Sequence, residues 1–129
     1  MKRAISAGLA MLFILGTAIY VHAAEPNRDA IKKKVDDVVA AINGGKSAAD
    51  FQAAAKEDPY IFIMKDDGFM EVHPSLAGKN IKGGDMDVIY KELSKADANG
   101  LWVKYQWQGK EKNSYVRKTK TGLIVGSGY

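Results

Sequence analysis

The 129-residue chain is 47% hydrophobic and 26% charged, with 19 basic and 15 acidic residues. That length holds one domain with one modest core, and that balance excludes a disordered or low-complexity chain. It contains no cysteine, which excludes thiol catalysis, thiolate-bound zinc, attached haem and any disulfide framework.

Lys2 and Arg3 precede the apolar run AISAGLAMLFILGTAIYV, and VHA, Val21–Ala23, at its end offers small residues before a cut. This order predicts an export signal over residues 1–23, cut after Ala23, and a periplasmic or secreted mature chain. The alternative is an uncut segment that tethers the protein to a membrane, since about 18 apolar residues sit at the short limit of a bilayer span. Loss of 1–23 removes two basic residues and no acidic one, leaving 17 against 15, a net charge of +2. It also removes His22, so His73 is the one imidazole left. The low charge weighs against nucleic acid as a partner. A single histidine with no cysteine builds no multi-histidine metal site within the chain, so neither a metal nor another cofactor is expected.

Residues 24–57 read as an N-terminal helical segment and 58–129 as a sheet domain, together one globular unit. In NRDAIKKKVDDVVAAINGG, Ile31, Val35, Val38, Val39 and Ile42 recur at three and four residues and form one apolar stripe. Asn27 suits the N-cap, Asp29 favours the positive end of the helix dipole, and Gly44 is the expected left-handed stop. Lys32 to Lys34, Asp36 and Asp37 read as a solvated face. SAADFQAAAKEDP predicts a short second helix, with Ser47 and Asp50 spaced as a capping box.

From Tyr60 the period changes to two. YIFIMK places Tyr60, Phe62 and Met64 on one face and Ile61 and Ile63 on the other; a strand apolar on both faces belongs in the middle of a sheet. Asp66, Asp67 and Gly68 form a turn, and FMEVH pairs back as a hairpin. PSLAGKNIKGGD reads as a loop and MDVIYKELSKAD as a short helix. LWVKYQWQ alternates: Leu101, Val103, Tyr105 and Trp107 face one way, Trp102, Lys104, Gln106 and Gln108 the other. GKEK is read as a turn, NSYVRKT as a strand, and LIVGSGY as a last, central strand whose Gly126 and Gly128 admit a close neighbour. The expected fold is α+β: a five-stranded, mostly antiparallel sheet with a long N-terminal helix on one face. The loop and short helix between the second and third strands are the cover for the other. That second cover is thin, and a thin cover leaves a cavity.

The ordered pieces from Asp58 to Tyr129 resemble the single Cache domain, an extracytoplasmic sensor module related to PAS domains. They are YIFIM, the Asp66-Asp67-Gly68 turn, His73-Pro74, LAGKNI, KEL, then Gly100, Trp102, Tyr105 and Trp107, KNSYV and the final GSGY. The resemblance implies a PAS-like sheet packed on a long helix, with a pocket for a small organic anion such as a short carboxylate, or a similar metabolite. Family members usually sit between two membrane spans of a receptor. This sequence ends at Tyr129, so a freestanding exported member is the expectation.

Candidate ligand-binding residues follow from chemistry and position. His73, at the strand exit locked by Pro74, offers a donor to a carboxylate; the competing role is holding its own loop. Tyr60, Tyr105, Trp107 and Tyr115 combine apolar area with a polar tip, and each competes with a plain core role. Lys112 is the candidate cation, against a solvated one. Asp66 and Asp67 are explained by turn chemistry, and no calcium-loop series surrounds them. GKNIKGG lacks the Gly-Lys-Ser/Thr ending of a phosphate loop. No catalytic constellation stands out, so binding without turnover leads. The alternative is a protein-interaction module that forms a homodimer or acts with a membrane sensor protein. A third reading has Trp102, Tyr105, Trp107 and Tyr115, with Lys104 and Arg117, as a nucleic-acid stacking platform.

Overall fold

The computed structural model describes residues 27–129; the expected export signal lies outside the described residues. Helix α1 runs Arg28–Asn43, a 3₁₀ segment follows at Ala48–Lys56, then β1 (Phe62–Met64), β2 (Met70–Val72), α2 (Asp87–Leu93), β3 (Leu101–Trp107), β4 (Lys110–Lys118) and β5 (Ile124–Gly128). The strands form one antiparallel sheet in the order β2-β1-β5-β4-β3. The expected α+β architecture is the observed one. The two runs without a polar face, β1 and β5, lie inside the sheet, because both of their faces are covered by protein.

α1 starts where Asn27 accepts from the Ala30 amide at 3.1 Å. Its stripe of Ile31, Val35, Val38, Val39 and Ile42 is buried. The helix stop differs from expectation by one residue. Gly44 has an ordinary φ of −88°, and Gly45 takes the positive φ of 119°. The Gly45 amide then donates to Ile42 at 3.0 Å and Lys46 to Ala41 at 3.1 Å, which satisfies carbonyls the helix leaves open. The second helix is 3₁₀ rather than α, broken at Phe51 (φ −111°, ψ 18°). Asp50 does accept from the Ser47 amide at 2.9 Å. Ala48, Ala54 and Ala55 are the buried side chains of this segment. Their small size lets it lie close on β1 and β2, where Gln52 Nε2 donates to the Glu71 carbonyl at 3.0 Å.

The faces of the sheet carry separate cores. α1 and the 3₁₀ segment cover Ile61, Ile63, Val72, Tyr115 and Val125. Phe62, Met64, Met70, Val103, Val116 and Ile124 face the other way, under the 74–86 loop and α2. Strand alternation thus sorts Tyr60, Phe62 and Met64 from Ile61 and Ile63 as expected. The second cover is indeed the lesser one: α2 has seven residues and buries only Leu93 fully. The loop is fastened along the outer edge of β2, with Met70 donating to Lys79 and Gly78 to Met70, both at 2.8 Å.

Candidate functional site

A cavity of about 250 Å³ lies between the sheet and this lesser cover, near the small end of the volumes that hold small molecules. β1 and its approach contribute Tyr60 and Phe62, β2 and its exit Met70 and His73, and the loop Pro74, Ser75 and Leu76. α2 adds Ile89 and Leu93, one turn apart on one helix face. β3 and β4 add Tyr105, Trp107 and Lys112.

The β3–β4 hairpin sets the polar end. Its turn is Gln108-Gly109, with φ of 51° and 79°, the geometry that matches strand twist in a two-residue hairpin. GKEK is therefore strand from Lys110 onward and not turn, because the preceding Gln108 takes the strained position. The register then puts Lys112 directly opposite Tyr105, on the cavity face. The Lys112 ammonium stands 4.8 Å from the centre of the Tyr60 ring, a cation–π contact. Burial lowers its pKa. The Tyr105 hydroxyl shares a 2.9 Å hydrogen bond with the hydroxyl of fully buried Ser114.

Burial pushes the Tyr60 phenol up to about 12. Tyr105 rises to about 12 for the same reason, with Ser114 partly opposing and Tyr60 adding. Both phenols stay protonated donors at neutral pH. His73 is pushed down to about 4, by burial first and by the Lys112 cation second. The imidazole is accordingly neutral. No carboxylate lines the cavity among the described residues, and Lys112 is its one charged group.

Five of the six residues singled out from sequence meet here: Tyr60, His73, Tyr105, Trp107 and Lys112. Tyr115 does not. It follows Ser114 on β4 and so points through the sheet to the α1 face. Its hydroxyl donates to the Asn99 carbonyl at 3.2 Å and lies 3.4 Å from Asp36. Trp102 also belongs to the α1 side, under the Arg28 guanidinium at 3.9 Å. The four aromatics of the stacking reading are thus split between two faces and form no common platform. Asp66 and Asp67 serve the hairpin turn: Asp67 accepts from the Phe69 amide at 3.0 Å, and Tyr90 donates to the Asp66 carbonyl at 2.9 Å.

Sequence reasoning missed Ser114, Leu76, Ile89 and Leu93 as parts of the site. The four-residue spacing of Ile89 and Leu93 carried a signal for a shared helix face. Ser114 carried none, because its position depends on the hairpin register.

No family model and no curated protein matches the chain. Among solved structures, it is similar to the crystal structure of a methyl-accepting chemotaxis protein from Vibrio parahaemolyticus RIMD 2210633. The TM-score is 0.55 at 16% identity, covering 87% of this chain and 91% of that one. The likeness is one of fold.

Proposed function

We propose that the protein is an exported, single-Cache-like sensor module that binds a small organic anion, such as a short carboxylate, without turning it over. The observation that carries this reading is the cavity's charge. One ammonium, Lys112, stands among protonated phenols and a neutral imidazole, with no lining carboxylate among the described residues. A single cation in a mostly apolar wall matches a single carboxylate with a short apolar remainder. With the Ser114 hydroxyl donating to its oxygen, Tyr105 supplies a directional donor beside it. Phe62, Met70, Leu76, Ile89 and Leu93 are left for the apolar part. The fold likeness to a chemotaxis protein supports a sensor role over an enzymatic one.

Thermal-shift screening with short carboxylates tests the reading. A ligand at one hundred times its dissociation constant adds about 2.7 kcal/mol of stability. Lys112→Met keeps most of the side-chain length and removes the charge. It is expected to weaken binding by about one to two orders of magnitude, the worth of a charge-assisted hydrogen bond of roughly 1.5–3 kcal/mol. No shift with any small anion, or equal shifts in Lys112→Met, would count against the proposal.

A further inference from the structure

Where β2 ends at Val72, the half-buried His73 ring is followed by a tight turn, and the turn bonds back to the ring. The amides of Ser75 and Leu76 both donate to His73 Nδ1, at 2.9 and 3.0 Å. A ring nitrogen that accepts two N–H groups carries no proton of its own, so the neutral ring holds its proton on Nε2. The ring is also wedged: its centre is 6.1 Å from Phe62 and 6.1 Å from Trp107. The same turn, Pro74 to Leu76, is part of the cavity's roof.

The groups around the ring favour its neutral form, and the two amides select Nδ1 as the bare nitrogen. Lys112 from β4 brings a positive charge, and the phenols of Tyr60 and Tyr105 are neutral. Phe62 from β1, Trp107 from β3 and Ile89 and Leu93 from α2 do not titrate.

We infer that His73 is the latch of the cavity roof: its unprotonated Nδ1 pins the Pro74–Leu76 turn, and the pinning fixes the ring as an Nε2–H donor that lends the cavity a neutral donor and no charge. Only the benefit to a ligand rests on the function proposed above; the latch is a property of the protein itself. The consequence for selectivity is that Nε2–H, the ammonium and the phenols together favour ligands bearing acceptors. A protonated amine finds no charged acceptor among the lining residues.

Two measurements made without any ligand test the latch. Long-range ¹H–¹⁵N correlation of the His73 ring at pH 7 should show protonated Nε2 and unprotonated Nδ1. The opposite tautomer, a mixture of both, or an imidazolium would overturn the inference. Amide hydrogen exchange supplies the second readout. In His73→Ala, protection at Ser75 and Leu76 should fall at least tenfold while Val116 and Val125 keep theirs. In His73→Asn, whose side-chain oxygen accepts the same amides, part of the protection should return. Undiminished protection in His73→Ala would overturn the latch. If His73→Ala fails to fold, the wild-type tautomer alone decides. Because neither readout involves a ligand, failure of the anion screen and failure of the latch are separate results.

Discussion

Between pH 7 and pH 4 the His73 imidazole contributes to stability through the proton it refuses. Its folded pKa of about 4 lies below the ordinary value of 6.5, from burial and then from Lys112. The unfolded chain therefore binds the extra proton first. This stability is fully present above pH 6.5 and is lost as pH falls toward 4. The loss is at most about 1.4 kcal/mol per pH unit, and less because solvent reaches part of the ring. The melting temperature of the wild type is expected to fall across that window, and His73→Asn to flatten the fall. Parallel slopes for the two proteins would contradict this. The same residue illustrates what sequence leaves open. Of its two competing roles, loop holder and pocket donor, the first uses Nδ1, which leaves Nε2 as the ring nitrogen open to the second. Nothing in the residue order distinguishes Nδ1 from Nε2.

At the level of the elements, α1 was legible almost whole, because a 3.6-residue period, an Asn cap and a glycine pair each signal a helix boundary independently. Only the choice between Gly44 and Gly45 was not, since two adjacent glycines permit either stop. The structure gives a direct check on that choice. A Cβ at Gly45 has open space around it, so Gly45→Ala costs backbone conformation alone. The expected loss is about 1 kcal/mol from forcing a side chain to positive φ, read as a lower urea midpoint at unchanged slope. A variant as stable as the wild type would contradict the observed helix stop. The strand faces were legible for the same reason as α1: a period of two sorts residues by parity. The β3–β4 turn was not. Gln108 at φ 51° lacks the usual Asn, Asp or Gly signal, so the sequence reading starts the turn at Gly109 and extends it through Lys112, over the first residues of β4. That reading hides Lys112's place opposite Tyr105. The coupling of β4 to α1, where Asp36 pairs with Arg117 at 3.1 Å and lies 3.4 Å from the Tyr115 hydroxyl, carries no signal in the residue order. Burial raises the Asp36 pKa, but hydrogen bonds from Lys32 and Arg117 more than offset it. Asp36 is thus a tie between helix and sheet, more than one charge of a solvated face.

For the whole molecule, the unequal covering of one sheet is the fact from which a cavity follows. α1 buries five large aliphatic side chains on its face; α2 and the 74–86 loop leave about 250 Å³ unfilled on theirs. The imbalance was readable in advance, as one long amphipathic helix against a glycine-rich loop and a short helix. Which side chains line the gap was readable only for residues whose strand parity was secure. Tyr115 shows the limit. Chemistry groups it with Tyr105 and Trp107, yet it stands three positions from the cavity-facing Lys112, an odd offset that places it on the opposite side. The most direct measurement on the cavity is a ¹⁵N chemical-shift titration of the protein with short carboxylates. Saturable shifts are expected at Tyr60, Leu76, Tyr105 and Lys112, with little change at Val35 and Val39 on the α1 face, and their loss in Lys112→Met. Shifts confined to the α1 face, or no saturable shift with any of the anions, would contradict a ligand site between the sheet and its lesser cover.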